Sequence, residues 1–295
     1  MSRSARVVAQ AKVNLLLRVL GREASGYHAI ETVFLRLELD DGVRVRIERG
    51  RSIDCRGASM PAEGLGAPES NLAYRAAVAY AEATGWPSGF SIEIEKRIPV
   101  GGGLGGGSAD AGAVLRLLDA MSPRPLGKNL LALAAPLGAD VPFMATEHAM
   151  ALGWGRGERL LALPSLPSRP VMLAVPPFSV PTGDAYGWLA ESRDGYVPSA
   201  AILDLAQLGS WDGIGQLATN DFHSVVAARQ PVVAELADAL RAAGAGIAML
   251  SGSGSTVFGL FDEADPPPTA SLVRSTGHAV IATRTSERVA AVVLD

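Results

Sequence analysis

With 295 residues, 48% of them hydrophobic, the chain is long enough to bury two modest cores, and its formal charge of −4 argues against a nucleic-acid-binding surface. No apolar run approaches the roughly 20 residues of a membrane span, and the polar start MSRSARVVAQ is not expected to act as a signal peptide. Cys55 is the only cysteine and the four histidines (His28, His148, His223, His278) are scattered, which excludes an internal disulfide framework, suits a reducing cytoplasm and offers no transition-metal site.

RVVAQAKVNLLLRVLG (6–21) reads as a strand with apolar runs around Lys12 and Asn14. LRLELDDGVRVRIERG (35–50) alternates in period two and predicts two strands joined near Asp41-Gly42. NLAYRAAVAYAEATG (71–85) predicts a helix stopped by Gly85. In FSIEIEKRIP, Phe90, Ile92 and Ile94 alternate with Ser91, Glu93 and Glu95, the pattern of a half-buried strand. In SADAGAVLRLLDAM, Ala111, Val114, Leu115, Leu118 and Met121 fall at helical spacing, with Ser108 or Asp110 as the expected N-cap. KNLLALAAPLGADVPFM (128–144) predicts a second helix ending in a Gly-containing turn, and SLPSRP (165–170) is the clearest linker. Beyond it come a strand at VMLAVP, helical stretches around 199–208 and 230–243, a surface loop at EADPPPTAS, and closing strands at HAVIATRT and RVAAVVLD. Strands and helices mix without strict alternation, so an α+β fold is expected. Its domains are expected over 1–164 and 165–287, with a final strand, 288–295, a candidate to return to the first.

Between that strand and that helix, residues 99–109 read PVGGGLGGGSA, with glycine at six of the seven positions from Gly101 to Gly107. Each glycine costs roughly 0.4–1 kcal/mol of stability where Ala would fit. The run therefore implies that side chains are forbidden there, by positive φ or by something approaching the backbone. A flexible linker would not sit inside a strand–loop–helix unit. At a helix N-terminus the free N–H groups and the dipole attract an anion, and phosphate is the natural one. The GxGxxG match at Gly101, Gly103 and Gly106 carries almost no weight in so dense a run. SPRPLGKNLL, which follows, offers no second strand ending in an acidic residue, as a dinucleotide fold requires. Ser108 stands where a Walker A loop needs lysine, and HRD and DFG motifs are missing. Nucleotide phosphate is indicated, and three common architectures do not fit.

AKVNLLLRVLGREASGYHAIETVF, IPVGGGLGGGSADAG, GADVPF and LSGSGSTVFGLF together resemble the GHMP small-molecule kinases, in register across nearly the whole chain. Within that superfamily the likeness is to the branch whose acceptor is a cytidine diphosphate-linked methylerythritol. The resemblance implies an ATP-binding N-terminal domain like domain 2 of ribosomal protein S5 and a ferredoxin-like, substrate-side C-terminal domain. It implies that Asp140, in GADVP, takes the proton from the acceptor hydroxyl, and that Lys12, in AKVNL, holds that carboxylate and hydroxyl. By themselves these two residues read as a capping group and a snorkelling lysine.

The implied donor is ATP with Mg²⁺. Its triphosphate would lie along Pro99, Val100, Gly101, Gly102, Gly103, Leu104, Gly105, Gly106, Gly107, Ser108 and Ala109, with Ser108 near the cation. Ala109 departs from the family pattern, where many relatives carry a second serine. Lys96 and Asn71 resemble positions near the adenine, though alone they read as a surface charge and a helix cap. On the acceptor side, the resemblance implies that Tyr27 stacks on cytosine, His28 bonds its edge and Tyr186 closes the other face. Thr182 would lie near the diphosphate and Asn14 at the methylerythritol end. Gly252, Ser253 and Gly254 resemble a motif beside the phosphates and acceptor, and read equally as a tight turn. In NDFHSVV, His223-Ser224 replace the acid and proline common in relatives.

The activity implied is phosphorylation of the acceptor's 2-hydroxyl in the non-mevalonate isoprenoid pathway. The enzyme would be cytoplasmic, a monomer or weak homodimer, without nucleic-acid or membrane partners. The alternatives are a kinase of this superfamily for another small alcohol, such as mevalonate or homoserine, and an inactive nucleotide-binding regulator. GYH and the paired aromatics argue against the first, Lys12 and Asp140 against the second.

Overall fold

The computed structural model describes residues 3–22, 26, 28–193, 203–262, 271–272 and 276–295. Two long strands, β1 (Ser4–Arg22) and β2 (His28–Ile47), are followed by β3 (Arg51–Arg56), α1 (Leu72–Thr84) and β4 (Phe90–Glu95). The glycine loop leads into α2 (Gly106–Met121), then α3 (Leu130–Ala134), α4 (Val141–Met144), β5 (Met150–Gly155) and β6 (Arg159–Ala162). After these come β7 (Pro170–Val175), α5 (Thr182–Ser192), α6 (Leu205–Leu208), α7 (Trp211–Leu217), β8 (Thr219–Asn220) and α8 (Asp221–Arg229). The chain ends with α9 (Val232–Ala242), β9 (Ile247–Leu250), β10 (Val257–Leu260), β11 (Ala279–Arg284) and β12 (Val293–Leu294).

Two sheets organise these elements. The first runs β12-β1-β2-β4-β3, with β5 and β6 added beside β2 and the short β8 beside β1; the second runs β11-β7-β10-β9. The second sheet divides the interior. Val171 and Leu173 of β7, Ile247 and Met249 of β9, and Phe258 and Leu260 of β10 join the core built on the first sheet, α1 and α2. Their alternates Met172, Ala174, Ala248, Leu250 and Val257 join a second core with α5, α8 and α9. Because side chains alternate across a strand and both faces are buried, these strands read as nearly continuous apolar runs.

Several predicted elements form as expected: β1, β4, β7, β11, and α1, which stops at Gly85 in the left-handed region (φ 70°). Others differ. No hairpin forms at Asp41-Gly42; β2 runs straight through, pairing Gly42 with Glu95 of β4. The Asp41 carboxylate is consumed by the backbone N–H groups of Arg97 and Ile98 and by Lys96, so it supplies no turn. The irregularity falls instead on β1, whose register against β2 shifts between Gln10 and Lys12. Neither Ser108 nor Asp110 caps α2; Gly105, left-handed at φ 71°, holds that position without a side-chain bond. The helix predicted from Lys128 forms as α3, tightens to a 3-10 turn over Ala135–Leu137 and ends at Gly138, as expected, and the short α4 follows as a separate helix. The 199–208 prediction survives as α6, its first four residues and most of EADPPPTAS lying outside the described residues. The helices α5, α7 and α8 were not expected. SLPSRP is tied down by Ser168 and Arg169 to Thr285. No described helix is long and apolar enough to cross a membrane.

Candidate active site

The glycine loop is shaped by its neighbours as well as by any ligand. Gly101, Gly103 and Gly105 have φ of 76°, 78° and 71°, open only to glycine at low cost. A Cβ on Gly103 would stand 2.1 Å from the Ser251 carbonyl oxygen, and one on Gly102 2.5 Å from Thr256 Oγ1. The second glycine-rich stretch, 251–256, is docked there: Ser251 Oγ donates to the Gly103 carbonyl and the Thr256 amide to that of Gly102. From the other side the Lys12 amide donates to the Leu104 carbonyl. The loop is thus clamped between β1 and the β9–β10 turn. It opens on a cleft of about 490 Å³ whose walls include Asn71, Leu72, Lys96, Ile98, Ser108, Asp110 and Thr182. The N-terminus of α2, which has no side-chain cap, borders this cleft, and free backbone N–H groups at such a terminus favour an anion.

Lys12 is buried, so the snorkelling reading fails. Its Nζ donates to Asn14 Oδ1 at 2.8 Å and lies 3.3 Å from Asp140 Oδ2. Asn14 Nδ2 donates to Thr32 Oγ1, whose hydroxyl donates to the Leu16 carbonyl, so the lysine stands on a relay of fixed polar groups. Asp140 occupies the N-cap position of α4 yet makes no capping bond. Its carboxylate, 27% exposed, is turned to Lys12.

Arg36 of β2, which sequence reasoning missed, fixes the segment after Asp140. The buried guanidinium donates to the carbonyls of Phe143, Met144, Thr146 and His148 and lies 4.8 Å from the Phe143 ring centroid. Burial, and secondarily Arg116, lowers its pKa to about 9. The only sequence hint was one arginine inside an otherwise apolar stretch of strand.

Lys96 is also not the surface charge that its sequence suggests. It is 2% exposed and pairs with Asp41 and with Asp110 Oδ2 at 2.7 Å. Burial works against its ammonium, but Asp110 and Asp41 outweigh it and leave its pKa raised. Asp110 is pushed up to about 7, chiefly by burial, with Lys96 opposing and Asp41 adding to the shift; its Oδ1 is buried without a partner. Asn71 does cap α1, accepting from the Ala73 amide, and lines the cleft beside Lys96. Ala109 is buried in the first turns of α2.

On the acceptor side, Thr182 Oγ1 and Ser253 Oγ are 3.0 Å apart, joining the start of α5 to the second glycine turn. A Cβ on Gly252 would stand 3.3 Å from Lys12 Nζ, so this turn packs directly on the lysine. His28 and Tyr186 stack, with ring centroids 4.2 Å apart and planes at 12°. Burial, then the Asp140 charge, raises the Tyr186 hydroxyl to about 12. Tyr27 lies outside the described residues. His223 Nδ1 accepts from the Leu250 amide; burial first and Arg241 second lower its pKa, which suits an uncharged acceptor. Among the described residues no group of three or more His, Cys, Asp or Glu is placed to hold a metal.

The geometry thus gathers Lys12, Asn14, Asp140, the glycine loop and the 252–254 turn at one place, with Thr182 beside them. The model of the GHMP kinases N terminal domain matches residues 71–148, and that of the GHMP kinases C terminal matches 202–277. The 4-diphosphocytidyl-2-C-methyl-D-erythritol kinase of Anaeromyxobacter dehalogenans (strain 2CP-1) is 43% identical over 257 residues, which cover 86% of this chain and 80% of that protein. The enzyme of the same name from Deinococcus radiodurans is 38% identical over 258 residues, covering 87% and 84%. A crystal structure of 4-(cytidine 5'-diphospho)-2C-methyl-D-erythritol kinase matches with a TM-score of 0.74 at 32% identity, covering 95% of this chain and 99% of that one. These relatives match over four fifths or more of their own length, and the chain belongs to the GHMP kinases, in the family of the 4-diphosphocytidyl-2-C-methyl-D-erythritol kinases.

Proposed function

We propose that phosphoryl transfer takes place between the glycine loop and Asp140, a reading carried by the buried Lys12 that stands against both Asp140 and the Gly252 turn. The chain is an ATP-dependent kinase that phosphorylates the 2-hydroxyl of 4-diphosphocytidyl-2-C-methyl-D-erythritol, a step toward isoprenoid precursors. Phosphoryl transfer needs in-line positioning and charge stabilisation more than covalent help. The loop and the N-terminus of α2 cradle the triphosphate with backbone donors. Asp140 Oδ2 takes the proton of the acceptor hydroxyl, and the freed oxygen attacks the γ-phosphorus as ADP leaves. Lys12 holds the carboxylate in place and draws the charge that develops on the attacking oxygen.

The oxygen donors present, the Ser108 hydroxyl and the Asp140 carboxylate, suit a hard cation carried largely by nucleotide phosphates. Magnesium held by Ser108 and those phosphates would neutralise charge on the transferring group. Lys96 and Asn71 line this cleft, and the adenine would lie at their end of it. His28 and Tyr186 serve the cytosine, Thr182 and Ser253 its diphosphate, and Asn14 the methylerythritol end. The lone cysteine suits a reducing, cytoplasmic compartment, where the enzyme would work as a monomer or weak homodimer.

The test is a panel of acceptor alcohols with ATP and Mg²⁺, read by ADP release and by mass of the product. The cytidine diphosphate-linked methylerythritol should gain one phosphoryl group while mevalonate and homoserine stay unchanged. Turnover of another alcohol in its place would overturn the substrate, and ATP binding without any transfer would support an inactive regulator.

A further inference from the structure

The elements that carry Lys12 and the Gly252 turn are joined by residues 219–223, to which the reaction above assigns no role. β8 pairs in parallel with Leu16 and Leu17 of β1, a short step from Asn14. Asn220 is 6% exposed, and both hydrogens of its amide are used: Nδ2 donates to the carbonyls of Leu250 and Gly252, each at 2.8 Å. Its Oδ1 accepts from the Phe222 amide and caps α8. The next residue, Asp221, accepts at Oδ2 from the Val19 amide, and Phe222 meets the Tyr186 ring edge-on at 4.9 Å.

We infer that Asn220 is a positioning residue for phosphoryl transfer: its amide holds the Gly252 carbonyl so that the 252–254 turn packs on Lys12 and presents Ser253 and Thr182 to the acceptor. This rests on the reading that Lys12 and Asp140 act on the acceptor. Gly252 has a left-handed backbone (φ 55°), and a Cβ added there would stand 3.2 Å from the Gly103 carbonyl oxygen and 3.3 Å from Lys12 Nζ, so a small tilt of the turn moves the wall against which the lysine rests. Ser251, on the other side, ties the turn to the phosphate loop, while Asn220 grips its start from the β1 side at two carbonyls. A buried donor pair of this kind is costly to lose, because two buried carbonyl oxygens each lose a hydrogen bond.

Asn220→Asp separates positioning from capping. Aspartate caps a helix as well as asparagine does, so a residue that merely starts α8 tolerates the change. If the amide positions the turn, the variant loses both donors and sets a carboxylate against two carbonyl oxygens. Acceptor kcat/KM should then fall at least tenfold while the KM for ATP stays within about twofold. Hydrogen exchange in the 251–256 stretch should quicken. Asn220→Ser, which keeps a capping oxygen and carries no repelling charge, should show the same split in milder form. Unchanged acceptor kinetics in both variants, or a loss shared equally by ATP and acceptor, overturns the inference. So does failure of both to fold, because that makes the residue structural. Asp140→Asn run alongside keeps the two ideas apart. If it keeps full turnover, the reading of the site has failed; if it is inactive while the Asn220 variants behave normally, only this inference has.

Discussion

Lys12 Nζ lies 3.3 Å from Asp140 Oδ2, with 4% of the lysine side chain exposed against 27% of the aspartate's. One partner is sealed in and the other is partly open to solvent, the asymmetry expected when the carboxylate must meet a substrate and the ammonium must not move. Asp140→Asn should therefore lower kcat by roughly 10²–10⁴, the usual range for loss of a general base. ATP affinity, measured by calorimetry, should hardly change. A variant with more than half of wild-type turnover would reduce the pair to a structural contact.

The glycine loop yields a sharper test than its sequence suggested. Gly102 and Gly103 are needed by the fold itself, since any side chain there would strike Thr256 or Ser251. A Cβ on Gly105 would press on Lys12 and Met144 at 3.0 Å, so a valine there would mix strain with lost binding. Gly107 is different. A Cβ there meets nothing nearer than Leu72 Cδ1 at 3.8 Å, and Ala in a helix is up to about 1 kcal/mol better than Gly. Gly107→Ala should thus melt no lower than wild type yet bind ATP at least tenfold more weakly, because phosphate needs that space. Normal ATP affinity would leave the loop's glycines explained by chain packing alone.

The strand, glycine loop and helix were legible because their partners are local: period-two alternation in β4, helical spacing in α2, and glycines between them. The straight run of β2 through Asp41-Gly42 was not, because a local turn signal lost to a carboxylate whose partners lie 55 to 57 residues away. Lys96 looked like surface charge for the same reason. Arg36 and Asn220 serve carbonyls more than 100 and about 30 residues distant, which no window of sequence displays. The resemblance brought the remote Lys12, Asp140 and Gly252 together on paper; bottom-up reading alone kept them apart. Tyr27 lies outside the described residues, so the stacking expected of it stands as proposed.

Asp110 gives a pH prediction. Its folded pKa is raised to about 7 from an ordinary 3.8, mainly by burial. A raised carboxyl binds its proton more tightly when folded, so its contribution to stability is full below the unfolded value and is lost as pH rises through the folded one. Between roughly pH 4 and 7 the wild type should lose stability that Asp110→Asn, which does not titrate, keeps. The Tm difference between variant and wild type should drift in the variant's favour from pH 5 to 8 and level off above. A difference that stays flat across this range would show that Asp110 is ionised throughout and that Lys96 alone holds it.

The stacked pair of His28 and Tyr186 changes what mutation of the base site should reveal. Taken separately, a stacking ring cannot choose among bases, since every base has a π-face, whereas an edge-bonding histidine can. Here the rings lie 4.2 Å apart at 12°, and Tyr186 is itself braced edge-on by Phe222. The tyrosine face turned to His28 is therefore occupied, and its ring also sets how the imidazole points. Tyr186→Ala should weaken cytidine and uridine acceptors together and, by releasing His28, should also erode the preference for cytidine. His28→Ala should erode that preference with a smaller loss overall. Residues in contact couple by about 0.5–3 kcal/mol, whereas independent sites add within roughly 0.3–0.5. A double-mutant cycle on kcat/KM for both acceptors measures which holds. Additive losses, with cytidine preference intact in Tyr186→Ala, would mean that the tyrosine does not orient the histidine; preference intact in His28→Ala would mean that the cytosine edge is read by other groups.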